Sequence, residues 1–186
     1  IESNPIDIVY SSSYDIDVEK NIPKTDFKNE DGVALIIGNR DYEGDIPPVD
    51  FALRDIEYIE KYLINTLGYR KGNILMLSNA TLSNIKVGLN KLKNMIKGKE
   101  SDVFIYYSGH GAPNIKNNST YIVPVDGDPN YIDDSGYSLN DLYLKLSSIN
   151  VETITVVIDA CFSGSSDAGQ LITDMSPVSI EYVSPK

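Results

Sequence analysis

The sequence predicts an α/β domain built on a mostly parallel central sheet with helices on both faces. Three observations carry this expectation. Val33–Gly38 and Thr153–Asp159 are near-continuous runs of Val, Ile, Leu and Thr, as strands buried on both faces are. The segments between them repeat apolar residues at helical spacing and stop at glycines. Strand and helix signals alternate along the chain, and that order calls for parallel pairing with right-handed crossovers.

A chain of 186 residues suits one domain with a full core. Residues 1–30 are polar and acidic, with Ser11, Ser12 and Ser13 in a row and prolines at 5 and 23. They are expected to be an N-terminal arm or pro-segment, leaving 31–186 as the domain. Apolar runs stay well short of the roughly 18 residues of a spanning helix, so no membrane partner is expected. The formal net charge of −11 disfavours nucleic acid, whose phosphates call for basic surfaces. Metal cations and basic peptides fit that charge better. One cysteine leaves a free thiol and makes the cytoplasm the default compartment.

Taken in order, Val33–Gly38 is the first strand, and a loop with Asn39, Tyr42, Gly44, Pro47 and Pro48 follows. From Phe51 to Leu67, Ile56, Ile59, Tyr62, Leu63 and Leu67 share a helical face that Gly68 ends. Asn73–Leu77 is a short second strand. Thr81–Ile96 carries Ile85, Leu89, Leu92 and Ile96 on one helical face. Asp102–Tyr107 is the third strand, breaking at Ser108-Gly109-His110-Gly111. A Tyr- and Asn-rich loop, the run Tyr121–Val125 and an acidic segment from Asp126 to Ser135 come next. Ser138 caps a helix reaching about Ser148, and the strand ending near Cys161 is expected inside the sheet. Val178–Val183 is a further candidate strand. It is too short to cover an apolar sheet edge alone, so the last strands are expected from another chain or from sequence beyond Lys186.

The sole histidine and the sole cysteine both fall at strand carboxyl ends, where α/β sheets gather ligands and chemistry. A thiol becomes a useful nucleophile beside a base. The glycines flanking His110 let a substrate carbonyl approach the backbone, and the amides of Gly111 and Cys161 are placed to form an oxyanion site. The plainer reading makes Cys161 a small buried hydrophobe and His110 a satisfied polar residue.

Tyr107-Ser108-Gly109-His110-Gly111 and Asp159-Ala160-Cys161-Phe162-Ser163-Gly164 lie about fifty residues apart, the caspase spacing. Together they resemble the catalytic motifs of caspase-like cysteine peptidases, closest to the metacaspase branch with its bacterial forms, over roughly Gly32–Gly169. The resemblance implies a caspase-like three-layer sandwich and a cysteine endopeptidase with His110 and Cys161 as its dyad. Asp159 stands where true caspases carry Gln, as in metacaspases and paracaspases. Phe162 departs from the His often found there, and Phe51-Ala52-Leu53-Arg54-Asp55 keeps only the last residue of the usual Gly-Cys-x-Asn-Asp.

The resemblance also implies a P1 pocket formed by Asp55, Ser108 and Asp159, hence cleavage after Lys or Arg. Carboxylates pair with basic side chains and repel acidic ones. It implies a calcium site as activator, with Asp126, Asp133, Asp134 and Asp167 as hard oxygen ligands; by spacing alone these are a solvated acidic loop. No organic cofactor is expected. Caspase-like enzymes are often cut into a large and a small subunit, so the chain is expected to be a large subunit released by self-cleavage after Lys186 and paired with a small subunit from the same precursor. The alternatives are a clostripain-like or gingipain-like peptidase and a caspase-fold interaction module without chemistry. A nucleotide-binding domain lacks its Gly-rich phosphate loop.

Overall fold

The computed structural model describes residues 19–114, 116 and 118–162, and the backbone of 165–166 and 169–170. A parallel sheet of four strands is its centre, in the order β2 (Ile74–Ser78), β1 (Val33–Gly38), β3 (Asp102–Ser108), β7 (Thr153–Asp159). Helices α1 (Ala52–Asn65), α2 (Leu82–Met95) and α4 (Leu139–Ser147) flank it.

Alternation along the strands divides the core in two. Ala34, Ile36 and Tyr106 point to one face and pack with Ile56 and Leu63 of α1. Val33, Leu35, Ile37, Val103, Ile105 and Tyr107 point to the other and pack with Ile85, Leu89 and Leu92 of α2 and Leu142 and Leu146 of α4. Residues two apart on a strand share a face, whereas helical residues share one at three or four apart, and these apolar positions obey both periods. Thr81 and Asn84 form a reciprocal capping box on α2, a motif contributing about 1 kcal/mol. The Ser138 side chain caps α4 by accepting from the Asp141 amide.

Two features refine the expectations. Among the described residues the strand leading to Cys161 is not enclosed: β7 pairs there with β3 alone and closes one side of the four-stranded sheet, and the strands expected beyond it fall outside those residues. Its residues alternate between half-buried and exposed. Ile154, Val156 and Ile158 pack on the α2 and α4 side, while Thr155 and Val157 face outward past the end of α1's cover. The stretch after Gly111 is not simply a loop either. β4 (Gly111–Asn114), β5 (Ser119–Ile122) and β6 (Tyr137–Ser138) form a small antiparallel sheet, with the single turn α3 (Ile132–Ser135) before β6. Strands of two to four residues, one containing Pro113, have too few alternating positions to announce themselves. Two-residue strands β8 (Ser165–Ser166) and β9 (Gly169–Gln170) pair beyond Cys161.

The second half of the N-terminal arm is tied to the end of α1. The Thr25 amide donates to the Asn65 carbonyl, the Asn29 amide to that of Gly68, and the Thr66 hydroxyl to that of Pro23. Among the described residues no helix is long and apolar enough to cross a membrane. The candidate strand Val178–Val183, Asp167 and Lys186 lie outside the described residues.

Candidate active site

The strand register builds one wall of a cleft before any side chain is considered. Gly38 of β1 pairs with Ser108 of β3, and Ser108 pairs with Asp159 of β7, so three strands end on one rung. A Cβ on Gly38 would sit 2.5 Å from the Ala52 carbonyl oxygen. The first turn of α1 therefore closes directly on the end of β1 and brings Asp55 over the rung. There the Ser108 hydroxyl donates to Asp55 Oδ2 at 3.0 Å.

A cleft of about 460 Å³ opens above, lined by Asp55, Ser108 and Asp159 together with His110 and Cys161. The expected dyad and all three expected P1 residues thus share one cavity. Asp50 and Phe51, at the start of α1, line it too. Phe51 is 63% exposed, and a third carboxylate with an open aromatic ring on the wall was not anticipated. Their signal was present in the departure of this segment from the family pattern.

Burial, opposed by the hydrogen bond from Ser108 and reinforced by the charge of Asp159, raises the Asp55 carboxyl above its ordinary 3.8. A cation entering between the two carboxylates would relieve that cost. Burial, only partly countered by Pro47, pushes the His110 imidazole below its ordinary 6.5.

His110 itself is buried and held by a partner that carries no sequence signal. Its Nε2 lies 2.7 Å from the Pro47 carbonyl oxygen. A carbonyl only accepts, so Nε2 carries the hydrogen and Nδ1 is the basic nitrogen. The Cys161 thiol, by contrast, is free and exposed.

Gly111 opens β4 opposite Ile122, and the Val123 amide donates to the His110 carbonyl. That makes Gly111–Ile122 a pair outside the hydrogen-bonded rungs, leaving the Gly111 amide out of the ladder. A Cβ on Gly111 would meet the Phe162 ring at 2.4 Å, so the residue after the cysteine lies against the residue after the histidine.

The expected calcium ligands are spread over two clefts. Asp126 accepts from the Leu82 amide at the start of α2 and lines a cavity with Glu43, Asp45 and Asp128. Asp133 accepts from the Asn114 side chain and lines a different one with Asp134 and Asp141. Among the described residues no three His, Cys, Asp or Glu side chains group closely enough to hold a metal ion. Asp167, the fourth expected ligand, lies outside the described residues.

A family model described as Caspase domain, for peptidases of the C14 family, matches residues 31–181. The chain belongs to the caspase domain family. Metacaspase-1 of Eremothecium gossypii is 26% identical over 149 residues, covering 72% of this chain and 32% of that protein. The chain thus spans about a third of the length of the relative it matches. The caspase-domain match includes the Gly38–Ser108–Asp159 rung and both motifs, so the chain is a caspase-family cysteine-peptidase domain.

Proposed function

We propose that this caspase domain is a cysteine endopeptidase cutting peptide bonds after Lys or Arg. One observation carries the reading: a single cleft holds the sole cysteine, the sole histidine with its hydrogen directed to Pro47, and the carboxylates Asp55 and Asp159. The Cys161 sulfur attacks the substrate carbonyl carbon, and the amides of Gly111 and Cys161 take the charge developing on its oxygen. His110 takes the thiol proton on Nδ1 and passes it to the leaving amine as the C–N bond breaks, giving a thioester. It then takes a proton from the water that hydrolyses this ester and releases the thiol. Asp55 and Asp159, joined through Ser108, hold the P1 cation in a partly dry pocket, where charge-assisted hydrogen bonds are strongest.

Peptides with a fluorogenic leaving group, differing only in Arg, Lys or Asp at P1, test the reading. Turnover of the first two is expected, and preference for Asp overturns it. Labelling of Cys161 by a lysine chloromethylketone is the matching arm; an unlabelled thiol with no turnover would favour a non-catalytic caspase-fold module.

Two partners belong to the proposal. A further strand, from the same precursor or from another chain, would cover the outer edge of β7, because unpaired edges invite association and Val157 on that strand is exposed. Calcium stimulation is part of the reading through the likeness to a metacaspase and the acidic residues Asp126, Asp133 and Asp134. Full turnover in excess chelator would remove it from the reading.

A further inference from the structure

The loop after β1 carries a tyrosine, Tyr42, that meets His110 through both its hydroxyl and its ring. The His110 amide donates to the Tyr42 hydroxyl at 2.7 Å. Behind it, the Tyr107 hydroxyl donates to the carbonyl of the same His110, also at 2.7 Å. The two hydroxyls lie 3.5 Å apart. With the Tyr107 proton directed to the carbonyls of His110 and Val123, the Tyr42 proton is the one available to join them. The hydrogen bonds thus run from the amide of His110 through both hydroxyls back to its own carbonyl, and such chains polarise and strengthen one another.

The same tyrosine covers the imidazole. The Tyr42 and His110 rings lie 4.8 Å apart, centroid to centroid, tilted by 45°. Room for this arrangement depends on Gly109, whose φ is +157° and where a Cβ would stand 2.6 Å from the Tyr107 hydroxyl and 2.7 Å from that of Tyr42. Burial raises the Tyr42 hydroxyl to about 12 and Tyr107 well above its ordinary value, so both stay protonated and able to donate at working pH.

We propose that Tyr42, backed by Tyr107, is the positioning residue that holds the His110 imidazole against the Pro47 carbonyl and keeps water off it. The inference rests on the peptidase reading for its catalytic consequence but not for its geometry. Tyr42 touches neither Cys161 nor a P1 side chain in this role. It acts through the tautomer and the basicity of His110. Against the imidazole stand the Tyr42 ring and the Pro47 carbonyl, and the titratable groups sharing its cleft are Cys161, Asp50, Asp55 and Asp159.

Because His110 is the only histidine, nitrogen NMR of the isotope-labelled full chain reads its tautomer and titration without interference. The unaltered protein is expected to show the Nε2–H tautomer and a midpoint below 6.5. Tyr42→Phe keeps the ring and loses the hydroxyl. It should retain that midpoint while kcat on a P1-Arg peptide falls about tenfold at nearly constant KM, as for a misaligned catalytic group. Tyr42→Leu loses the ring as well. Its midpoint should rise, both tautomers should appear, and kcat should fall roughly a hundredfold.

An imidazole titrating identically in the unaltered and Leu forms overturns the proposal. So does a loss of activity that only tracks a loss of melting temperature. Should the Leu variant not fold, the Phe variant alone decides, with unchanged kcat and tautomer counting against the proposal. If the unaltered chain cuts no peptide, the peptidase reading fails, while the NMR comparison still judges the role of Tyr42.

Discussion

Strands β1 and β7 are both short runs of β-branched and aliphatic residues, yet the sheet treats them differently. Every residue of β1 is buried, between α1 on one side and α2 on the other. Among the described residues β7 has one neighbour, one packed face and one open face. The strand that carries the proposed nucleophile is thus the least enclosed of the two. Rigidity is concentrated where His110 and Asp55 are anchored, and reactive groups stand at the margin, where substrate and a further strand can both reach them.

The sharpest way to test this division is to remove the sulfur. Cys161→Ala is expected to lower kcat/KM by at least roughly 1,000-fold while leaving the melting temperature nearly unchanged, since the side chain is exposed. A large loss of stability would mean that the end of β7 is structural after all. Next in size is a paired truncation on the two strands. Ile36→Ala, fully buried on β1, should cost about 2–5 kcal/mol by denaturant unfolding. Val157→Ala on β7, 39% exposed, should cost about 0.5 kcal/mol or less. Equal losses would erase the contrast.

Beyond the hydrogen bond from the Gly109 amide to the Asp159 carbonyl, the carboxyl end of β7 is braced by Phe162 against Gly111. Gly111→Ala should push that ring aside, shift the neighbouring Cys161 and lower kcat about 10- to 100-fold. Adding Phe162→Ala should restore part of it, and a double variant no better than the single would show that the ring is not the brace. The smallest effect concerns Asp55, in the first turn of α1 and hydrogen-bonded to Ser108 of β3. Its folded-state pKa is raised, so its stabilising contribution is complete below the ordinary 3.8 and is lost as pH rises through the raised value. At neutral pH the ionised group therefore works against folding. Asp55→Asn should be as stable as the parent at neutral pH, or slightly more so, in a thermal melt. The same variant should lose turnover of P1-Arg peptides, and a less stable variant would reverse the sign assigned here.

Much of this organisation was legible in the residues. The first three helices of consequence and strands β1, β2 and β3 follow from apolar periods and from stops at Gly68 and Gly98. The cleft residues Ser108, His110, Asp159 and Cys161 belong to two motifs at strand ends, and Asp55 on the first helix follows from the family resemblance. What the sequence concealed has a common cause. A run such as Thr-Ile-Thr-Val-Val-Ile states that a strand exists, but its place in the sheet depends on which neighbours arrive, and that is a property of the whole chain. The carbonyl of Pro47 has no side chain to notice. Tyr42 is one of 13 tyrosines, and only the path of the loop after β1 brings its hydroxyl to the His110 amide. The partners of the acidic segment were equally hidden: the chain sends Asp126 to the start of α2 and Asp133 toward Asn114.

The rung shared by Gly38, Ser108 and Asp159 constrains how such a domain can change over generations. Losing or gaining one residue within β7 would turn Ile154, Val156 and Ile158 outward and move Asp159 off its rung, because strand side chains alternate with a period of two. Length variation is therefore barred from the catalytic strand and admitted in the surface turns. Substitution at single rung positions remains open, so on the proposed reading lineages of this domain can alter their P1 preference without altering how they fold.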